Sequence, residues 1–273
     1  MNEKNKQIAK SVIAILVAFI LTFALACLNI CLSAKIISSA NFIKGVTEKS
    51  KYADKAAIEI KEALSDLAIP SGLPEDFFDD KVSQSQVAEL FNSAIAQSFQ
   101  GGAKPDFSSI KETLSKDIND YANENFVSIS KETQTAIKTL TEECCNIYIR
   151  YCSPSILQFL GQIIKTLSKV IIVGIAASAL LVVVALVFIL RLVDRKNFLF
   201  YSFSSFLGAG LLSGIIPLVL LITNKISHVA ILSKSIYGFL CSFVNGSLLI
   251  IVLFSALFVI ISLLMLLLEL RKK

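Results

Sequence analysis

The sequence is poor in the residues that carry chemistry. His228 is its single histidine, so a histidine-based catalytic triad or a histidine-rich metal site has almost no material to use. No G-x-x-x-x-G-K-[ST] phosphate loop is present, and no G-x-G-x-x-G motif follows a strand. We therefore expect no catalytic residue, no cofactor or metal site, and no enzymatic activity. His228 itself is interpreted as an ordinary side chain at a membrane surface.

Four long stretches contain almost no charged residues, and the mean hydropathy of the whole chain is high, at +0.71. A helix of about 20 apolar residues crosses the ~30 Å hydrocarbon core of a bilayer. The stretches lack the alternation of barrel strands, so we expect helices. The sequence predicts an all-α, four-span membrane protein with spans at 11–34, 169–190, 198–222 and 247–270.

Basic residues indicate the orientation. Nine Lys and Arg side chains fall in 1–10, in the loop 191–197 and in 271–273, whereas the loop between the third and fourth spans has only Lys225 and Lys234. The positive-inside rule then predicts cytoplasmic termini, a plasma-membrane location and an extracytoplasmic domain at 35–168. That domain holds 14 basic and 18 acidic residues, against 12 and 3 elsewhere. The excess positive charge thus belongs to the membrane flanks and does not indicate a nucleic-acid partner.

Helical periodicity runs through the extracytoplasmic domain. Apolar residues recur at three and four residues along four stretches: 34–68, which ends at the Pro70–Pro74 breaker; 83–99, which ends at Gly101; one capped by Asp106 or Ser108; and one that begins near Ser130 and is interrupted by Pro154. A helix with so narrow an apolar stripe is not stable alone, so the apolar faces of the four helices must bury one another. We expect a helical bundle or stalk between the first two spans.

Residues 223–246 show a helical pattern of their own, with apolar residues at three- and four-residue spacing and serines between them. The pattern predicts an extracytoplasmic amphipathic helix lying on the membrane surface. Alternatively, the part from Tyr237 onward lengthens the fourth span.

Small residues mark one face of the third span. Gly210 and Gly214 form a GxxxG pair, with Gly208 nearby, and such residues let two helices approach closely in lipid. We expect a packing face within the chain, with a dimer face as the alternative. Pro217 is predicted to kink the outer half of this span.

The chain has six cysteines, and an extracytoplasmic location would permit disulfides between them. Cys31 and Cys241 fall near the same leaflet, and Cys145 with Cys152 is a second candidate pair. The second pair is about 11 Å apart along a continuous helix and needs an unwound turn before it can join. Small buried residues are the simpler interpretation.

The acidic group Glu75, Asp76, Asp79 and Asp80 lacks the ligand spacing and the central glycine of a calcium loop. We interpret it as charge in the first turn of a short helix.

These features predict a receptor, adaptor or assembly subunit that binds a ligand or a membrane or extracytoplasmic protein partner through its outer domain. The cytoplasmic stretches are too short for a kinase or nucleotide-binding module, so a signal would pass to another protein.

The layout resembles the helical sensing domain of bacterial chemoreceptors, but adds two spans. The order of one span, a large outer domain and three spans is similar to cell-division and macrolide-exporter permeases, which implies the alternative of a permease-like subunit in an ABC-type or other transport complex. That resemblance covers topology and no motif.

Overall fold

The computed structural model describes residues 3–125, 130–223 and 233–271. These residues are 88% helical and contain no strand. They form nine α-helices and a 3₁₀ turn at Ile69–Ser71. The helices are α1 (Glu3–Ile37), α2 (Ala40–Ser50), α3 (Tyr52–Ala68), α4 (Gln84–Gln100), α5 (Ser108–Asn125), α6 (Lys131–Cys152), α7 (Ser155–Leu192), α8 (Arg195–Thr223) and α9 (Lys234–Leu270). The predicted all-α class is confirmed.

Four of these helices contain stretches long and apolar enough to cross a membrane. The stretches are Gln7–Ile37, Ser155–Leu192, Asn197–Thr223 and Lys234–Leu270. They include the four predicted spans, and the chain is consistent with a membrane protein.

The described residues divide into two compact units. The apolar unit comprises 3–39, 166–223 and 243–271, and the amphipathic unit comprises 40–125, 130–165 and 233–242. Helices α7 and α9 each contribute their first residues to the amphipathic unit and the remainder to the apolar unit.

The core of the apolar unit draws on all four long helices. Its buried side chains are Leu21, Leu25, Ala26, Ala185, Ile189, Ala209 and Phe258. Many larger apolar side chains point outward instead, for example Leu180 at 67% exposure and Ile216 at 68%. An apolar exterior is expected of helices that face lipid.

The amphipathic unit follows the opposite rule. Its predicted stripes lie largely inside: Ile60 and Leu64 of α3 are fully buried, and most stripe residues of α4 and α5 are buried, as are Ile137 and Cys144 of α6. The other residues of the α6 stripe are exceptions, since Leu140 and Ile147 are half-buried and Ala136 is exposed. Gly161 of α7 lets that helix approach α4, because a Cβ atom there would clash with the Ser98 carbonyl oxygen.

Most predicted boundaries match the helices. Ser130 caps α6 by accepting a hydrogen bond from the Thr133 N–H, Asp106 accepts one from the Ser108 N–H, and Gly101 ends α4 in the left-handed conformation. The caps act locally, which is why the sequence indicates them.

The continuous helix expected over 34–68 is wrong, because the chain breaks there twice. One break follows Ile37, where the Ser38 hydroxyl donates to the Ala34 carbonyl. The other is Lys51, whose φ of 52° is left-handed. Such a conformation costs a non-glycine residue about 1–2 kcal/mol, so the packing of α3 against α4 and α6 must offset it.

The separate surface helix expected over 223–246 is also not what the described residues show. Helix α9 begins at Lys234 and continues without interruption to Leu270. This agrees with the alternative in which the later residues lengthen the fourth span. Residues 224–232, including His228, lie outside the described residues.

Candidate functional site

A cavity of about 400 Å³ opens in the amphipathic unit where α5 ends and α6 begins. Its walls carry apolar side chains and three hydroxyls, and none of the described residues that line it is charged. The lining residues are Pro70, Ser71, Gly72, Leu73, Ile118, Tyr121, Ala122, Thr133, Ala136, Ile137 and Leu140. A cavity of this size and composition is typical of a binding site for an apolar group.

The turn after α3 builds one wall of this cavity. Pro70 lies in the 3₁₀ turn, and Gly72 follows with a φ of 77°, which only glycine adopts without strain. The Leu73 N–H then donates back to the Ala68 carbonyl at 3.0 Å. This reversal places Leu73 opposite α5 and α6 in the cavity wall.

A second, more open hollow of about 540 Å³ adjoins the cavity along α6. Ser71, Ala136 and Leu140 line both depressions, so the two form one continuous groove. Glu132 and Glu143 also line the hollow. They lie eleven residues apart on α6, about 16 Å along its axis. The groove therefore combines an apolar cavity with two carboxylates.

Glu59 of α3 forms the second notable arrangement, because its carboxylate caps α9. It accepts hydrogen bonds from the backbone N–H groups of Lys234 and Ser235, and from the hydroxyls of Ser233 and Ser235. The first N–H groups of a helix have no partner within it, and the positive end of its dipole favours an anion. Glu59 thereby joins two segments that are about 175 residues apart in sequence.

Three buried aromatic rings stand close to this cap. Tyr52 stacks on Phe91 with ring centroids 3.8 Å apart, and Phe239 of α9 meets both rings edge to face. The Tyr52 hydroxyl donates to the Tyr151 carbonyl at 2.6 Å. Burial raises the pKa of Tyr52, so the phenol stays neutral and remains a donor.

In the apolar unit, Asn29 of α1 forms the centre of a buried polar cluster. Its side-chain amide donates to the hydroxyl of Ser213 on α8 at 2.6 Å and to that of Ser255 on α9 at 2.9 Å. Ser33 donates to the Asn29 carbonyl oxygen at 3.3 Å. All four residues are less than 10% exposed. Because these groups satisfy one another, the cluster joins three helices.

The predicted small residues of the third span lie at contacts within the chain. A Cβ atom at Gly208 would lie 3.1 Å from Thr22 of α1, and one at Gly210 would lie 2.8 Å from Val259 of α9. Gly214 is equally close to Ser255. Helix α8 remains helical through Pro217.

None of the six cysteines forms a disulfide. Helix α6 stays continuous through Cys152, so the unwound turn that a Cys145–Cys152 bond needs is absent, and Cys31 and Cys241 are likewise unjoined. Burial raises the pKa values of Cys144 and Cys152 to about 12. Protonated, buried thiols of this kind are inert and serve as small core residues.

The acidic group at 75–80 lies in turns, so the short helix expected there is not formed. Glu75, Asp76 and Asp79 line an open depression with Glu62 and Asp66 of α3. In the described part of the chain, no three His, Cys, Asp or Glu side chains are grouped to hold a metal ion.

Asn29 and Glu59 were not singled out from the sequence. Asn29 is the one amide side chain in the first predicted span, and polar residues within a span commonly have a role. A lone amide within an apolar span is therefore the sequence signal for this cluster. Glu59 carries no local signal, since its partners lie near residue 234.

No protein-family model, curated protein or solved structure matches the chain.

Proposed function

We propose that this chain is a non-enzymatic receptor, adaptor or assembly subunit of the plasma membrane that binds a partner through its amphipathic unit. The observation that carries the proposal is the groove, in which an apolar cavity is flanked by two carboxylates. Such a surface suits recognition, because apolar burial supplies affinity and the charges supply specificity.

The orientation forms part of the proposal. Both termini are cytoplasmic and the amphipathic unit is outside, in keeping with the nine basic residues of 1–10, 191–197 and 271–273. The groove is then open to an extracytoplasmic or membrane-bound protein.

Helix α9 provides the route for a response. Glu59 and the rings of Tyr52 and Phe91 hold its first turns, and the same helix continues to Leu270 as a membrane-length element. A partner that binds one arrangement of α3 and α9 better than another shifts the population toward that arrangement. The readout then passes to a separate membrane protein.

Site-specific photo-crosslinking in intact cells tests the binding role. A photoreactive amino acid at Ala136, in the groove, is expected to capture a reproducible protein partner. The same group at Glu112, an exposed residue of α5 outside the groove, serves as the matched control. Equal crosslinking from both positions, or a lone monomer in both cases, would show that the groove binds no partner.

The nature of the captured protein separates the two functions under consideration. A cytoplasmic ATPase that co-purifies with the chain would indicate the permease-like alternative. External protease reports the orientation: it should cut the amphipathic unit and leave a tag at the C-terminus intact.

A further inference from the structure

We infer that the groove on α6 is the docking site for a basic amphipathic helix of the partner protein. The inference rests on the proposed function and specifies the chemistry of the partner. The groove is defined by the apolar cavity, the adjoining hollow and the residues Glu132 and Glu143 at its ends.

The charges of the groove call for a cationic partner. The ion pairs in the described residues join Lys81 to Asp117 and Lys111 to Glu142, so the carboxylates of Glu132 and Glu143 are available to a ligand. Among the residues that the structure describes, no basic side chain lines either depression. Complementary charge at the rim of an interface guides association and disfavours acidic competitors.

The spacing of the two carboxylates favours a helix over a small molecule. They are about 16 Å apart along α6, which exceeds the reach of one compact cation. A helix that packs along α6 and carries Lys or Arg at positions eleven residues apart would reach both. Its apolar residues between the two cations would then face Ala136 and Leu140.

The middle of the groove is shaped for close packing. Ala136 is small and exposed there, flanked by Thr135 and Thr139, so the backbone of a partner helix can come near. Beside Ala136 the cavity opens between Ile118 and Ile137. Its volume of about 400 Å³ accepts a large apolar side chain from the same helix, as in other grooves that bind amphipathic helices.

A panel of synthetic helical peptides tests the inference on the full chain in lipid nanodiscs. One peptide carries two lysines eleven residues apart with leucine between them. A second has the same composition with the lysines adjacent, and a third has glutamates in place of the lysines. We expect only the first to bind, with an affinity that falls as salt rises.

Variants of the groove sharpen the test. The double change Glu132→Gln and Glu143→Gln should weaken binding of the first peptide about tenfold or more, since two charge pairs are lost. Ala136→Leu, which blocks the cavity mouth from an exposed position, should do the same. Glu142→Gln, on the same helix but outside the groove, should leave binding unchanged. Circular dichroism of each variant checks that the helices are retained.

Several results would overturn the inference. They are equal binding of all three peptides, binding of none, or full binding to the double glutamine variant. Binding of a small lipophilic cation such as tetraphenylphosphonium in place of the first peptide would also exclude a helix. If crosslinks from Ala136 still identify a partner in any of these cases, the proposed function stands and only the basic-helix assignment fails.

Discussion

The two units of this chain differ in which side chains they bury. In the amphipathic unit, most large apolar side chains of the helix stripes lie inside, and Ile60 and Leu64 are fully buried. In the apolar unit, large aliphatic residues lie on both sides, and Leu180 is 67% exposed. What distinguishes the interior of the apolar unit is small size and matched polar groups, as at Gly210 and Asn29.

The difference is the one expected of a chain whose apolar unit lies in lipid and whose amphipathic unit lies in water. Water excludes apolar side chains, so burial stabilises the amphipathic unit in proportion to apolar area. Lipid is as apolar as leucine, so helices that pack within it are held together by close packing and hydrogen bonds. The following substitutions test this comparison, beginning with the largest expected effect.

Matched leucine truncations give the sharpest contrast. Leu64→Ala removes a fully buried side chain of α3 and should lower the free energy of unfolding by about 2–5 kcal/mol. Leu180→Ala, on an outward face of α7, should change it little, because lipid or detergent covers the site in both cases. Thermal unfolding in detergent, with hydrogen exchange to locate the effect, measures both. Equal losses of unfolding free energy would show that an outward-facing leucine of the apolar unit contributes as much as a buried leucine of the amphipathic unit.

Glycine-to-alanine substitutions should show the reverse, with a loss of stability in the apolar unit and a gain in the amphipathic unit. Gly210→Ala places a Cβ atom 2.8 Å from Val259 and 2.9 Å from the Ser255 carbonyl oxygen, which should destabilise the apolar unit by about 1–3 kcal/mol. Gly45→Ala lies within α2 with no atom near the new Cβ, and should stabilise by about 0.5–1 kcal/mol. Thermal midpoints in the same detergent decide the signs. A neutral Gly210→Ala would mean that α8 and α9 need no close approach.

Asn29→Ala should cost about 1 kcal/mol, since two interhelical hydrogen bonds are lost at about 0.6 kcal/mol each. Ser11→Ala is the control, because the Ser11 hydroxyl donates to the Gln7 carbonyl of its own helix. Resistance to unfolding by sodium dodecyl sulfate is a suitable measurement. An unchanged Asn29→Ala variant would leave packing alone to hold α1, α8 and α9 together.

Glu59→Gln should have the smallest effect, about 0.5–1 kcal/mol, because the amide keeps an acceptor but loses the charge at the start of α9. Glu62→Gln, an exposed change on the same helix, should be neutral. Hydrogen exchange of the first amides of α9 measures the effect directly. Equal protection in both variants would show that the carboxylate charge contributes nothing to the cap.

The fold was more predictable than the contacts. The four membrane-length helices and the caps at Ser130 and Asp106 are each determined by a few neighbouring residues, and the sequence predicts them. The breaks near Ser38 and at Lys51 were not, because the conformation of Lys51 is maintained by the packing of α3 and not by a local turn signal. The groove was missed for a related reason: its walls come from three elements separated in sequence by up to about 70 residues.

Three sequence properties determined the all-α class of this protein, its four membrane-length helices and the apolar stripes of its amphipathic helices. They are the length of the apolar stretches, the placement of charged residues and the residues that begin and end helices. These properties depend on residues within a few turns of one another, so they can be read along the chain. Tertiary structure alone decided that Glu59 caps α9, that Asn29 joins three helices and that two carboxylates flank an apolar cavity. Each of these requires groups far apart in sequence to meet, and the free energy that selects such meetings comes from packing over the whole unit.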